Sequence, residues 1–517
     1  MIDNKNKITE NANEAIKKAL ENNILIITGG PGTGKTTIIE TIVEIYKEIK
    51  DLTYDDLIDK IALLAPTGRA SKRMSEATNL PATTIHRFLK WNKENNEFMV
   101  NETNKDFSEL VIIDEVSMID INLFSSLFKG ITTNAKLILV GDYNQLPSVG
   151  AGNILKDLID CQKIDTIYLD LLYRQDENSY INNLAHDIKN GNLSEEFLKT
   201  KNDYAFLNCS SDSILETLKT TCQRLVEKDI DQKRIQLMAP MYAGINGIDN
   251  LNKELQKIFN PEDHNKNEIR YGDIVFREND KILQLVNMPD DNVFNGDVGY
   301  IKYIIKAANS KSKKNEIYVD YDGNVVKYLP KDFNKIKHGF IISIHKSQGS
   351  EFDLVIIPIC MSYYRMLYRK LIYTAITRAK KKLIIIGEAN AFRYSVDNNN
   401  EYIRKTNLCE KLKNMYSQLI ELVSTAKESD IMDEKLDCFF KMFQTVKACL
   451  EFSPYTHFYT QLLIDIIVKT YNTKVFRSDL LFKSDIGCFI ENPEYSPNEF
   501  FEELEENEYN INLIMHE

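Results

Sequence analysis

The chain has 517 residues, which at roughly 100–200 per domain makes three to five domains and a core that needs no disulfide staples. Apolar residues are 43% and charged residues 27%, with no run of 18 apolar residues and no signal-peptide core in Met1 to Thr9. A fibrous or wholly disordered chain is excluded, and a cytoplasmic enzyme with no membrane segment is expected. The formal charge is −12, but nine of those charges are the glutamates of 491–517, which holds no Lys, Arg or Asp; the near-neutral remainder does not exclude a basic nucleic-acid groove.

In chain order, short unbroken apolar runs recur at Ile24 to Ile27, Ala62 to Ala65, Leu110 to Ile113 and Leu137 to Val140. Such runs describe strands buried on both faces, as in a parallel sheet. Between the first two, Ile38, Ile39, Ile42, Val43, Tyr46 and Ile49 share one helical face. The segment 88–108 is polar, holds Trp91, Phe98 and Asn95-Asn96, and reads as a small β-hairpin. Ser194 to Asp231 reads as mostly helical linker. The buried-strand pattern restarts at Ile235 to Ala239, Phe340 to Ile344, Leu354 to Ile359 and Leu383 to Ile386, which argues for a second α/β domain. Within it, alternating runs flank Asp322-Gly323, a strong hairpin signal, and 300–338 fits a small barrel. Beyond Arg404 the pattern turns helical, ending in the acidic tail. The eight cysteines show no CxxC and no zinc spacing, and read as reduced thiols.

Five segments carry chemistry. Gly29-Gly30-Pro31-Gly32-Thr33-Gly34-Lys35-Thr36-Thr37 contains GxxxxGK[ST] between a strand and a helix. Its backbone N–H groups would cradle phosphates, with Lys35 on the β/γ-phosphates and the Thr36 hydroxyl on Mg²⁺. Asp114-Glu115 leaves a buried strand, where the first carboxylate suits Mg²⁺ and the second suits activation of a water. Gln145 follows another buried strand and offers an amide to the γ-phosphate. Arg174 and Arg378 each offer a guanidinium for charge on a transferred phosphate. Taken singly, either arginine reads as a surface ion pair.

Together these segments resemble the motifs of superfamily 1 helicases, specifically the RecD-like group of superfamily 1B, over about residues 8–407. The most diagnostic pieces are Gln145 to Gly150, Leu63 to Ala70, Thr84 to Phe88, Gly272 to Val275, Phe294 to Asp297 and Ser343 to Phe352. The resemblance implies an α/β fold with two RecA-like parallel-sheet motor domains, assigned to 1–230 and 231–407. It also implies a strand-splitting hairpin, or pin, at 88–108 and an SH3-like barrel insert at 300–338. A mostly helical region, 408–490, and the tail, 491–517, follow. The activity implied is an ATP-dependent DNA helicase moving 5′ to 3′ on single-stranded DNA or on duplex with a single-stranded tail, serving repair, recombination or mobile-element processing.

Carried over by motif, Lys35, Glu115, Gln145, Arg174 and Arg378 act on ATP, and Gly349 and Glu351 link nucleotide to the DNA track. Pro66, Thr67, Arg69, His86, Arg87, Ser343, His345 and Lys346 contact DNA, mostly at phosphates. His86 and His345 have no metal-ligand neighbours. Asn11 to Ala15 lacks the upstream glutamine with which the family reads adenine, the motifs begin almost at Met1, and the residues after about 410 match no known pattern. The rival readings are an RNA helicase, a protein-stripping translocase, and an ATP-gated recruitment module whose protein partner docks on 410–517.

Overall fold

The computed structural model describes residues 2–417 except 93–94, 96, 133–134, 170–178, 289–290, 400–403, 405 and 415–416. Arg174, nearly all of the region 408–490 and the tail 491–517 lie outside the described residues.

Helix α1 (Ile2–Glu21) presents Ala15 and Ala19, one turn apart, to the core, and β1 (Ile24–Gly29) follows with Ile24 to Ile27 buried. Helix α2 (Lys35–Lys50) buries Ile38, Ile39, Ile42, Val43 and Tyr46, the stripe its periodicity requires. Then come α3 (Tyr54–Lys60), opened by a Thr53/Asp56 capping box, β2 (Ile61–Ala65), α4 (Gly68–Thr78) and β3 (Ala82–Thr84). A two-stranded pair, β4 (Trp91–Asn92) and β5 (Glu97–Phe98), precedes β6 (Leu110–Ile113), β7 (Lys136–Gly141) and β8 (Thr166–Leu169). The order is β3-β2-β6-β7-β1-β8 with every pairing parallel. Parallel strands all end on one edge, so the loops after β1, β2, β6 and β7 gather there.

The remaining strands are β9 (Tyr204–Asn208), β10 (Ile235–Ala239), β11 (Glu268–Tyr271), β12 (Ile274–Arg277), β13 (Lys281–Gln284), β14 (Val298–Ile305), β15 (Glu316–Tyr321), β16 (Asn324–Tyr328), β17 (Ile336–His338), β18 (Ile341–Ser343), β19 (Phe352–Ile359) and β20 (Ala379–Gly387). A second parallel sheet runs β18-β10-β19-β20-β9. Apolar clusters cover both its faces, one around Phe197, Tyr204, Ile357 and Phe392, the other around Leu218, Leu237, Leu251 and Phe340.

Two boundaries differ from the sequence reading. The second sheet takes in β9, and the helix Tyr180–Asn190 packs into its core through Ile181, Leu184 and Ile188, so 194–231 is no linker. The physical reason is that β9 is an edge strand with alternating burial, which lacks the unbroken apolar run of a central strand. The barrel sheet, β16-β15-β14-β13-β17, is antiparallel and begins at Lys281 rather than at 300. Strand β13 has only Ile282 and Leu283 between polar ends, too short a run to be read as a strand. The turn at Asp322-Gly323 forms as expected, both residues having positive φ, +52° and +96°.

The barrel is tied by a buried carboxylate to the helix Ile248–Phe259, which packs on the second sheet. Asp280 accepts from Gln256 Nε2 (2.7 Å), Asn260 Nδ2 (2.7 Å) and the Arg277 backbone N–H (2.7 Å), and lies 3.2 Å from His338 Nε2. Asp280→Ala leaves these buried donors unpaired, and we expect a loss of about 3–5 kcal/mol. A thermal or urea unfolding midpoint indistinguishable from wild type would show that the network contributes nothing.

Candidate active site and nucleic-acid interface

The loop after β1 enters α2 through Gly32 and Gly34, whose φ angles of +76° and +82° would strain any side chain. Helix α2 starts without a side-chain cap and with no acidic residue in its first turn, so its N–H groups and positive end are left to an anion. The Lys35 ammonium donates to the carbonyls of Gly29 (2.6 Å) and Gly30 (2.7 Å), and Thr33 Oγ1 donates to Gly30 O (2.8 Å). Pro31 is half-buried between them, while Thr36 and Thr37 are exposed at the helix start.

Asp114 and Glu115 leave β6 on the same edge. Glu115 is buried and adopts φ +55°, a left-handed conformation rare outside glycine that bends the chain into the turn Val116–Met118. Asp114 Oδ1 accepts from the Glu115 N–H (2.8 Å). Burial, then the adjacent Glu115 charge, pushes the Asp114 carboxyl up to about 6, against the opposing pull of Arg73 and Lys35. A divalent cation fits this all-oxygen donor set. The Asp114 carboxylate and Thr36 hydroxyl suit Mg²⁺, which takes one or two protein oxygens and leaves its other positions to phosphate and water.

The loop after β7 meets the second sheet along a polar seam. Buried Asp142 accepts through Oδ2 from Gln145 Nε2 (3.2 Å) and from the Tyr373 hydroxyl (3.0 Å), which comes from the helix Arg369–Ile376. Burial and the Asp142 charge hold the Tyr373 phenol well above its usual range. The Leu146 N–H donates to Thr374 Oγ1 (3.0 Å), and Gln348 Nε2 donates to Leu146 O (2.9 Å). Gln145 Oε1 is buried and has no hydrogen-bond partner. Arg378, only 2% exposed, lies across the seam and donates to Ser350 O (3.2 Å) and Thr374 O (3.2 Å). The structure thus brings Gln145 and Arg378 to one cleft, with the guanidinium turned onto carbonyls of its own domain.

The residues expected on DNA divide into two groups. Thr67 caps α4, accepting from the Ala70 N–H (3.3 Å), next to half-buried Pro66. Arg69 NH1 donates to Ser350 Oγ (2.9 Å) of the second domain, and the residue also lines the cavity beside Arg87. His86 sits 5.8 Å from the Phe98 ring of the β4–β5 pair, and burial lowers its pKa; His345 is lowered by burial and by Lys346. Ser343 Oγ accepts from Tyr242 (3.4 Å). Arg87 NH1 and Lys346 Nζ, from the turns that follow β3 and β18, donate to Asn292 Oδ1 (3.4 Å) and Asn295 Oδ1 (2.5 Å) of one barrel loop. Phe294 of that loop packs over Gly68. Beneath it lies a cavity of about 400 Å³ lined by Arg69, Lys72, Thr84, Arg87, Phe294 and Asn324.

Sequence reasoning missed Tyr373, Asn292 and Arg404. Tyr373 was legible as a polar-tipped aromatic inside an apolar helix, which needs a partner when buried. Arg404 gave no signal, yet its guanidinium donates to Ser148 O (2.5 Å), Gly150 O (2.5 Å) and Gly152 O (2.6 Å), clasping the loop after Gln145.

The chain is similar to several known proteins. Residues 12–151 match an AAA domain, 251–321 the ATP-dependent RecD-like DNA helicase SH3 domain, and 338–386 the UvrD-like helicase C-terminal domain. The ATP-dependent RecD2 DNA helicase of Deinococcus radiodurans is 32% identical over 390 residues, covering 75% of this chain and 50% of that protein. The chain thus spans half the length of that relative. The RecBCD enzyme subunit RecD of Buchnera aphidicola subsp. Schizaphis graminum is 26% identical over 460 residues, covering 73% of this chain and 72% of that protein. A solved structure of Bacteroides Pif1 bound to ssDNA aligns at 16% identity and a TM-score of 0.45, over 79% of this chain and 97% of that one.

The Asp114 environment yields a stability test. Its carboxyl titrates near 6 in the fold against 3.8 ordinarily. Its charge therefore opposes folding above pH 6 and is absent from both states below about pH 4. In metal-free buffer at pH 8, Asp114→Asn should stabilise by up to about 3 kcal/mol, a gain that disappears as pH falls from 6 to 4. Equal unfolding midpoints for the two proteins at pH 8 would contradict the burial argument.

Proposed function

We propose that this chain, which belongs to the RecD-like group of superfamily 1 helicases, is an ATP-driven motor that walks along single-stranded DNA in the 5′ to 3′ direction and separates duplex ahead of it. The supporting observation is that the phosphate loop at Gly30 to Thr33 and the Asp142 to Leu146 segment of one parallel sheet meet Tyr373, Thr374 and Thr377 of the other, on the segment that ends at Arg378. The polarity is proposed from family membership.

ATP enters as substrate, its phosphates replacing the carbonyls of Gly29 and Gly30 as acceptors for Lys35. The donor is charged in both states, and exchanging a neutral carbonyl for an anionic phosphate oxygen adds Coulomb attraction, which favours the exchange. The same argument applies to Arg378, which leaves the carbonyls of Ser350 and Thr374 for γ-phosphate oxygens as the cleft closes. Mg²⁺, held by Thr36 and Asp114, would supply charge neutralisation at the phosphates. Glu115 orients and deprotonates the attacking water, and the Gln145 amide reports the γ-phosphate to Asp142 and Tyr373.

The DNA track runs past Thr67, Arg87 and Lys346. The Asn292 and Asn295 amides occupy the two cations as neutral stand-ins, and DNA phosphates displace them. The contacts are to backbone and carry no sequence preference. The β4–β5 pair, with Trp91 edge-on to Phe98 at 4.7 Å, is the pin at the fork.

Strand displacement on 5′-tailed and 3′-tailed duplexes with ATP and Mg²⁺ tests the reading; unwinding of the 3′-tailed substrate alone would reverse the polarity, and activity on RNA alone would replace the substrate. Lys35→Ala should abolish turnover in a folded protein, and near-wild-type hydrolysis would overturn the loop assignment. For Arg378→Ala we expect a loss of roughly 10³–10⁵ in kcat with ATP affinity retained; the reverse pattern would make Arg378 a binding group. Replacing 91–98 by a Gly-Ser link should spare DNA-stimulated ATPase and lose unwinding, whereas retention of both would place the splitting element elsewhere.

A further inference from the structure

We propose that Arg73 is a positioning residue for hydrolysis. It holds the Glu115 carboxylate and ties it across the cleft to Glu351, so that turnover follows the register of the two motor sheets. The inference rests on the roles given above to Glu115 and to the cleft.

Arg69 and Arg73 stand one turn apart on α4 and share a face. That face is closed against the segment 349–352 of the second domain. Gly349, at φ +71°, comes so near that a Cβ there would lie 2.8 Å from Thr67 Oγ1. Arg69 binds Ser350 and lies 5.8 Å from the Phe352 ring centroid. One turn on, the Arg73 guanidinium divides between two carboxylates from different sheets. NH2 is 3.3 Å from Glu115 Oε1 and NH1 is 3.8 Å from Glu351 Oε1. Glu351 is in turn held to its own domain by Lys380, 3.4 Å from its other oxygen. Glu115 is constrained from the backbone by its left-handed φ. Sliding one sheet against the other therefore pulls on the group that must aim a water. Arg73 Nε is buried without a hydrogen-bond partner, so the guanidinium is held by these two carboxylates rather than by a full set of local acceptors. A planar fork can serve two acceptors at once, which a lysine ammonium on a flexible stem does far less well.

The test measures ATP turnover by the full chain, with and without an oligo-dT strand, for wild type, Arg73→Ala and Arg73→Lys, with thermal midpoints recorded for each. A misplaced catalytic group costs on the order of 10²-fold. We expect Arg73→Ala to lose roughly ten- to hundredfold in kcat with KM changed by less than about twofold, and to lose the stimulation by DNA. Arg73→Lys should recover part of the basal kcat but not the stimulation. Wild-type kcat in Arg73→Ala overturns the proposal, as does a lowered midpoint with kcat, KM and stimulation all unmoved. If wild type itself shows no stimulation by DNA, the translocase reading falls. Arg73 is then judged on the basal kcat against KM and on the lysine rescue alone.

Discussion

The two parallel sheets meet along a seam in which hydrogen bonds surround buried Leu146, itself packed into the apolar core of the second sheet, and the rest of the molecule depends on that joint. Leu146 to Thr374, Gln348 to Leu146 and Tyr373 to Asp142 each cross it. A net hydrogen bond contributes about 0.5–1.5 kcal/mol, so the seam specifies one alignment without locking it. An apolar seam of the same extent would close once and stay closed. Opening one base-pair step costs about 1.4 kcal/mol, the same scale as making or breaking one or two seam contacts. In the motor proposed above, joint energies on the scale of the load let nucleotide both close and reopen the cleft.

The barrel extends this logic to the proposed DNA track. Its core is self-contained, built around Phe276, Ile301, Val319 and Tyr328, and Asp280 anchors it to the helix Ile248–Phe259 that packs on the second sheet. From that fixed base one loop reaches back to the first sheet, where Phe294 covers Gly68 and two asparagines engage Arg87 and Lys346. Cations from both motor domains thus converge beneath one loop. Neutral amides satisfy them without competing strongly against phosphate, which a carboxylate at either position would do.

Much of the fold was legible because parallel sheets leave a plain mark. Ile24 to Ile27 and Leu354 to Ile359 are buried on both sides, and no polar residue is tolerated within them. The edge strand β9 and the short strand β13 left no such mark. An edge strand is half-solvated, and a four-residue barrel strand draws its stability from neighbours distant in sequence.

The candidate site divides along the same line. The sequence by itself determined the phosphate loop, the acidic pair and Gln145. Their chemistry is set by residues adjacent in the chain: glycines that permit positive φ at Gly32 and Gly34, and carboxylates at the end of a buried strand. Only the tertiary structure decided that Arg69 belongs to Ser350, that Tyr373 closes on Asp142, that Arg73 lies between Glu115 and Glu351, and that Arg378 rests on its own domain's carbonyls. A guanidinium or phenol reaches many ångströms from its backbone and bonds whatever acceptor the packing of sheets brings near. That acceptor lies hundreds of residues away in the chain for Arg69 and Tyr373, and no local pattern encodes it.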